Sequence, residues 1–153
     1  MVMEPPVVLL VDDSETAAML MRVVFRQGGF AQPLRCAVDG EDAIAYLQGE
    51  GCYHDRAQYP LPTLVLMDLH MPRKNGFETL KWIRRQPAFR RLQVYILSGS
   101  SHSEDIELAY DLGANSYLVK PSSLDGLLQF ARSLELWLKH IHVVPLPPVG
   151  RDA

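Results

Sequence analysis

Apolar positions along the chain alternate between short unbroken runs and stretches with helical spacing. The unbroken runs are rich in β-branched residues and leucine, and they predict five buried strands. Runs of this kind cover residues 7–11, 64–67 and 94–97, and residues 31–38 and 116–119 can form the two other strands. Between and after them, apolar residues recur at intervals of three and four, which predicts five amphipathic helices. The pattern therefore favours an α/β fold in which strands and helices alternate.

The helix ends are predicted from glycines and capping residues. The first helix should end before Gly28 and the fourth at Gly113, and the last should begin near Ser123. Residues 49–62 contain glycine, proline and polar side chains and predict a long loop, after a turn at Asp39-Gly40. The proline content of residues 143–149 stops the last helix. We therefore expect a globular domain over 1–140 and an extended C-terminal tail over 141–153.

The last helix carries two apolar stripes. Its main face consists of Leu124, Leu127, Leu128, Ala131, Leu134 and Leu138. A flanking stripe consists of Phe130, Trp137 and Ile141. We interpret the flanking stripe first as additional core, and the alternative is a partner surface used in a homodimer together with residues 141–149.

Helical crossovers between strands make neighbouring strands parallel, and right-handed crossovers produce a doubly wound sheet. The simplest order for five strands is 2-1-3-4-5, a flavodoxin-like arrangement. Strands 1 and 3 are then neighbours at the point where the winding reverses. Loops at the carboxyl ends of such strands form the ligand-binding face.

Composition limits the functional classes. The 153 residues are 48% hydrophobic and 22% charged, which is typical of one ordered globular domain. A net charge of -3 gives no basic surface for nucleic acid, so we expect none to bind. We find no apolar run of about 18 residues and no signal-peptide layout, so we expect a cytoplasmic protein without a membrane anchor. Cys36 and Cys52 are too far apart to form a motif and should be reduced thiols.

Acidic residues follow two of the predicted strands. Asp12 and Asp13 come after strand 1, and Asp68 comes after strand 3. The topology brings them into one crevice, where three carboxylates repel each other unless a cation neutralises them. Oxygen ligands of this kind suit Mg²⁺. The alternative is purely structural: Asp13 or Ser14 caps the first helix and Asp68 only ends a strand.

Ser98 and Lys120 favour the functional interpretation. They follow strands 4 and 5, whose loops border the same crevice. A hydroxyl and an ammonium are suited to contact a phosphoryl group on Asp68.

The histidines at 54, 70, 102, 140 and 142 are too scattered to indicate a metal cluster. A phosphatase with an aspartyl nucleophile is the enzyme alternative, but position 70 is His70 where such enzymes carry a second aspartate.

Five short stretches, in this order and each beside a strand end, resemble the response-regulator receiver family. They are Asp12-Asp13, the run 65–72, Asn75-Gly76, Ser98-Gly99 and the run 117–121. The resemblance covers about residues 5–140. It implies a single-domain phosphoacceptor switch of a two-component system, with intrinsic phosphotransfer and autodephosphorylation and with a sensor histidine kinase as partner.

The resemblance also implies individual roles. Asp68 would be the phosphoacceptor. Asp13 and Asp68 would bind Mg²⁺ directly, Asp12 would do so through water, and the backbone carbonyl of His70 would be a further ligand. Ser98 and Lys120 would contact the phosphoryl group.

Two further implications concern the strand 5 region. Tyr117 would turn inward when Ser98 moves, and the Lys120-Pro121 bond would be cis. Within the family, the chain is most similar to the single-domain regulators that serve bacterial and cyanobacterial phytochromes. This resemblance rests on the long loop at 49–62, the stretch 109–121 and the tail with Trp137-Leu138.

Overall fold

The chain folds into a parallel sheet covered by helices on both faces. The computed structural model describes residues 4–141 together with Leu146. The strands are β1 (Val8–Val11), β2 (Arg35–Ala37), β3 (Leu64–Met67), β4 (Gln93–Ser98) and β5 (Ser116–Val119). The helices are α1 (Glu15–Gln27), α2 (Gly40–Gln48), α3 (Gly76–Arg85), α4 (Ser103–Asp111) and α5 (Leu124–His140). The predicted alternation of strands and helices is confirmed.

The sheet has the order β2-β1-β3-β4-β5, as predicted, and every pairing is parallel. Val11 pairs with both Ala37 and Met67, and Ser98 pairs with Val119. The residues that follow these five positions therefore leave the sheet at the same edge. This register is what gathers residues from distant parts of the chain.

Each strand contributes to two hydrophobic cores because alternate side chains point to opposite faces. In β1, Leu9 and Val11 face the core under α2, α3 and α4, whereas Val8 and Leu10 face the core under α1 and α5. The side chains of β1 and β3 are almost fully buried. Burial of each such side chain stabilises the fold by about 1.5–3 kcal/mol. The strands are consequently a firm support for the loops at their ends.

Helix boundaries follow local capping. Ser14 and Ser123 cap α1 and α5 by accepting from the backbone N–H groups of Ala17 and Gly126. Asp39 caps α2, so the predicted Asp39-Gly40 turn is the start of that helix. Asn75 forms a reciprocal capping box with Glu78 at the start of α3.

The long loop is more ordered than its composition predicts. It contains a short 3₁₀ helix, Gly51–His54, and the Arg56 guanidinium donates to the carbonyl oxygens of Tyr46, Leu47 and Tyr59. These bonds satisfy carbonyls at the end of α2.

Within the described part of the chain, no helix combines the length and apolar character needed to cross a membrane.

Candidate functional site

Three carboxylates meet where β1 and β3 end. The backbone N–H of Asp12 donates to the carbonyl oxygen of Ala37 on β2 at 3.1 Å. The backbone N–H of Asp68 donates to the carbonyl oxygen of Val11 on β1 at 3.0 Å. These ladder bonds place both residues one position beyond the paired strands. Asp12, Asp13 and Asp68 each offer a carboxylate oxygen within 4.8 Å of the other two. The structure thus brings together the three acids that the sequence placed in one crevice.

Asp12 and Asp13 differ sharply in their surroundings. Asp12 is only 5% exposed, and both of its oxygens are hydrogen bonded. The backbone N–H of Ser14 donates to Oδ1 at 2.8 Å, and Lys120 Nζ donates to Oδ2 at 3.0 Å. Asp13 is exposed to solvent. Asp12 is therefore held rigidly, and Asp13 is free to approach a ligand.

Asp68 lies partly buried between these groups, and its Oδ1 accepts from the Leu69 N–H at 2.7 Å. Burial raises the pKa of Asp68, and the charge of Asp12 raises it further. Lys120 and the backbone N–H groups of Leu69 and His70 oppose this rise without cancelling it. The negative charge of the cluster is thus only partly compensated by the protein. Clustered carboxylate oxygens with uncompensated charge fit a hard divalent cation such as Mg²⁺.

Ser98 and Lys120 lie on the neighbouring strands. Ser98 is the last residue of β4 and is 1% exposed. The backbone N–H of Lys120 donates to the Ser98 carbonyl at 2.7 Å, while its ammonium reaches Asp12. All five residues of the predicted pocket consequently lie at one edge of the sheet.

The Lys120-Pro121 bond is trans, so the cis expectation is wrong; trans is the lower-energy isomer by about 0.5–1 kcal/mol.

Ser100 links Ser98 to Tyr117. Its N–H donates to Ser98 Oγ at 3.1 Å, and its carbonyl accepts from the Tyr117 hydroxyl at 2.8 Å. Its own hydroxyl donates to Asp105 in the first turn of α4 at 2.6 Å. The N-cap residue of α4 is His102, which makes no side-chain capping bond, and the His102 N–H donates to Ser100 Oγ at 3.3 Å. The two predicted switch residues, Ser98 on β4 and Tyr117 on β5, are therefore both hydrogen bonded to Ser100.

His70 and Gly76 belong to the loop that follows β3. The His70 side chain is exposed, two residues beyond Asp68. Gly76 packs so closely that a Cβ there would lie 2.3 Å from the Asp68 carbonyl oxygen and 2.9 Å from Leu69 Cα. Only glycine fits this approach. The start of α3 is consequently in direct backbone contact with Asp68.

The flanking stripe of α5 divides between core and surface. Phe130 and Ile141 are half-buried against the core under α1 and α5, as expected for additional core. Trp137 is 56% exposed, although its indole N–H donates to the Tyr95 hydroxyl at 3.0 Å. The tail predicted over 141–153 lies outside the described residues except for Ile141 and Leu146.

A pair of charged residues in the loops after β2 and β3 was not predicted from the sequence. Asp39 is 1% exposed and pairs with Arg73 in the loop after β3. Burial alone would raise the pKa of Asp39, but hydrogen bonds from the Asp42 N–H and from Arg73 outweigh burial and lower it. Arg73 lies in no motif, and Asp39 was predicted only as part of a turn with Gly40. The only available sequence signal was the capping preference of aspartate before a helix.

Other sequence expectations concern thiols and histidines. Cys36 and Cys52 are free, as expected. Among the described residues, the only group of metal-binding side chains is the acidic cluster of Asp12, Asp13 and Asp68. His142 lies outside the described residues.

Comparison with known proteins agrees with this geometry. Residues 8–132 match the model of the response regulator receiver domain. The chain is 34% identical to the response regulator Rcp1 of Synechocystis sp. over 138 residues, which cover 90% of this chain and 92% of Rcp1. The Mn²⁺-bound crystal structure of Rcp1 superposes with a TM-score of 0.80 at 33% identity, covering 92% of this chain and all of that one.

A second solved relative is the phosphorylated cyanobacterial phytochrome response regulator RcpA. It superposes with a TM-score of 0.82 at 31% identity, covering 92% of this chain and 99% of that chain. RPA3017, described as acting in red light signalling of R. palustris, superposes with a TM-score of 0.81 at 34% identity, with 94% and 99% coverage. With its sheet order, its acidic cluster and these matches, the chain belongs to the response regulator receiver domain family.

Proposed function

We propose that this chain accepts a phosphoryl group on Asp68 from the phosphohistidine of a sensor histidine kinase. Mg²⁺ would be held by Asp12, Asp13, Asp68 and the backbone carbonyl of His70, with Asp12 acting through water. The observation that carries the proposal is the meeting of three carboxylates within 4.8 Å, with the Lys120 ammonium bonded to one of them. Asp12 has both oxygens occupied, which agrees with an indirect role.

The transfer step is a substitution at phosphorus. An oxygen of Asp68 forms the new O–P bond, and the P–N bond of phosphohistidine breaks, leaving its electron pair on the imidazole nitrogen. Because the Leu69 N–H already occupies Oδ1, Oδ2 is the better placed nucleophile. Lys120 and the Ser98 hydroxyl would donate to the phosphoryl oxygens. A bound divalent cation supplies further neutralisation of charge on those oxygens.

The signal would leave through a change of conformation. If Ser98 Oγ is drawn to the phosphoryl group, its bond from the Ser100 N–H is weakened, and the loop that holds Tyr117 can rearrange. A preference of a few kcal/mol for the active conformer is enough to shift the population strongly. Attack of water on phosphorus would then release phosphate and restore the Asp68 carboxylate, which is the proposed autodephosphorylation.

Partners are proposed from the relatives and from α5. A kinase of the phytochrome type is supported by the names of a phytochrome response regulator, RcpA, and of a regulator in red light signalling, RPA3017. We place the proposed signalling in the cytoplasm. The exposed Trp137 supports a homodimer through α5 and residues 141–149. Sedimentation of the full chain should show a dimer, and a chain truncated after His140 should be a monomer. Equal monomeric behaviour of both would reject the dimer.

Phosphoryl acceptance is tested by intact mass. The chain is incubated with a small acyl phosphate and Mg²⁺, and we expect a single base-labile phosphoryl adduct. Asp68→Asn should lose the adduct because the nucleophile is gone. Asp111→Asn, at the exposed end of α4, is the matched control and should retain it. A base-stable adduct that survives in Asp68→Asn would contradict the proposal.

A further inference from the structure

An ion pair joins the loop after β3 to the start of α2. Arg73 Nε donates to Asp39 Oδ2 at 2.6 Å, and its Nη2 donates to the same oxygen. The other carboxylate oxygen accepts from the Asp42 N–H at 2.8 Å and so caps α2. Asp39 is 1% exposed and is fixed by two elements at once. Arg73 is therefore anchored to a rigid group 34 residues away in the chain.

The backbone at Arg73 is in an unfavourable conformation. Its φ is 63°, and it is the one non-glycine residue with positive φ in the described part of the chain. The Lys74 N–H donates to the Pro72 carbonyl at 2.8 Å, so Arg73 is the central residue of a three-residue turn. A γ-turn with positive φ at its centre is rare and strained. Such a conformation persists only when its surroundings impose it.

A second contact fixes the same turn. Gly40 donates its N–H to the Lys74 carbonyl at 3.2 Å. A Cβ at Gly40 would lie 2.6 Å from that carbonyl oxygen and 2.0 Å from Thr79 Oγ1. The start of α2 thus contacts two successive residues of the loop. The constraint on the turn comes from α2 rather than from the loop itself.

The constrained turn lies close to Asp68 along the chain. The loop leaves β3 at Asp68 and is closed by the Gly76 N–H, which donates to the Leu69 carbonyl at 2.9 Å. His70 lies inside this closed loop, three residues before Arg73. In so short a loop, the backbone direction at His70 depends on where Arg73 is held.

We propose that Arg73 is a positioning residue, whose ion pair with Asp39 holds the loop after β3 in the shape that presents the His70 backbone to a cation at the acidic cluster. The inference rests on the proposed function, because it assigns a role in that same site. Partners that orient metal ligands affect affinity by about 10- to 100-fold when they are removed.

The test is Mn²⁺ binding, measured by electron paramagnetic resonance on the full chain. Arg73→Ala should weaken binding on the order of tenfold, because the loop relaxes out of the strained turn. Arg73→Gly should restore most of the affinity, since glycine adopts positive φ without strain. Arg85→Ala, which removes an exposed arginine of α3, should bind as the wild type does.

The expected sign separates positioning from simple electrostatics. By electrostatics alone, removal of a positive charge near a cation site removes a Coulomb repulsion and should strengthen binding, equally for alanine and glycine. Asp39→Asn keeps the helix cap but breaks the ion pair, so it should weaken binding as Arg73→Ala does. The double variant with both changes should be no weaker than Arg73→Ala alone, because both remove one interaction.

Hydrogen exchange of the metal-free protein gives an independent readout. Amides in residues 69–76 should exchange several-fold faster in Arg73→Ala and Asp39→Asn. The increase should be smaller in Arg73→Gly, where the turn is unstrained and the bond from the Gly40 N–H to the Lys74 carbonyl remains. Wild-type Mn²⁺ affinity in Arg73→Ala, or equal losses in Arg73→Ala and Arg73→Gly, would overturn the inference. If the wild type forms no phosphoryl adduct and binds no Mn²⁺, the proposed function fails, and the positioning role in the site fails with it. Normal adduct formation with unchanged exchange rejects the positioning role alone.

Discussion

The acidic cluster should destabilise the metal-free protein, and Asp68→Asn should reveal by how much. At the 4.8 Å limit of their separation, Asp12 and Asp68 repel by ~3.5 kcal/mol at an effective dielectric constant of 20. Asp13 is exposed, so its repulsion of Asp68 is nearer ~1 kcal/mol. Lys120 offsets part of this total. We expect Asp68→Asn to raise the free energy of unfolding at neutral pH by about 1–3 kcal/mol.

Saturating Mg²⁺ should make the wild type more stable than Asp68→Asn, the reverse of the order in the metal-free protein. Wild-type protein gains about 2.7 kcal/mol at a free Mg²⁺ concentration of 100 times its Kd. Asp68→Asn lacks one carboxylate of the cluster and should gain much less. Urea unfolding followed by circular dichroism, with excess chelator and with saturating Mg²⁺, measures both differences.

The pH dependence follows from the direction of the Asp68 pKa. Because the folded pKa is raised above the ordinary 3.8, folded protein binds more protons than unfolded protein between these two values. Stability therefore falls as pH rises from 3.8 to the folded pKa, and the full cost is present above it. The advantage of metal-free Asp68→Asn should be complete at neutral pH and should disappear below 3.8.

Glu107→Gln, on the exposed side of α4, is the control for the loss of one acidic charge. It should change stability little and should leave the Mg²⁺ response intact. The reasoning is refuted if Asp68→Asn is less stable than the wild type in chelator. Equal stabilisation of both proteins by Mg²⁺ would also refute it, because the cation would then bind without Asp68.

Three further predictions concern the surroundings of the site. Lys120→Met should slow adduct formation about a hundredfold or more, because a fixed, positively charged hydrogen-bond donor is lost. The rate is measured by intact mass on samples quenched at successive times. Gly76→Ala should lower the free energy of unfolding by about 1–3 kcal/mol, measured in urea, because the new methyl group meets the Asp68 carbonyl. The pKa of Asp39 is lowered, so its contribution to stability should be complete above pH 3.8 and lost as pH falls through the lower folded value. Acid unfolding of the wild type against Asp39→Asn tests this, and a difference that vanishes above pH 3.8 would contradict it.

Strands buried on both faces were predicted well because their apolar runs are unbroken. β3 is buried on both faces and has the predicted bounds, Leu64–Met67. β5 also has the predicted bounds, Ser116–Val119, although it is a half-buried edge strand. β2 was predicted over 31–38 but spans only Arg35–Ala37. It is an edge strand, so only one neighbour, β1, decides how many of its residues are paired. Apolar content alone does not report that number.

The pocket was predictable because topology and strand register are sufficient to gather its residues. Each predicted residue ends a strand, directly follows one or, for Asp13, is the second residue after one, and parallel strands bring such positions to one edge. The Asp39–Arg73 pair does not follow from this rule, because Arg73 lies six residues beyond β3, in a connection whose path depends on packing. Arg84 is similar: its guanidinium bonds the Gly113 carbonyl and the Asn115 side chain across 29 and 31 residues. Periodicity identifies Arg84 as part of α3 but not its partners.

The charge of the pocket connects its instability to its proposed chemistry. Three carboxylates and the Lys120 ammonium leave a net charge of -2, which the raised pKa of Asp68 reflects. Phosphorylation would replace the single charge of Asp68 by nearly two, so the repulsion would grow unless a divalent cation were present. The same repulsion that costs stability in the metal-free protein thus increases the affinity for such a cation. A pocket neutralised internally by a second lysine would be more stable, but it would lose that dependence of phosphoryl acceptance on the cation.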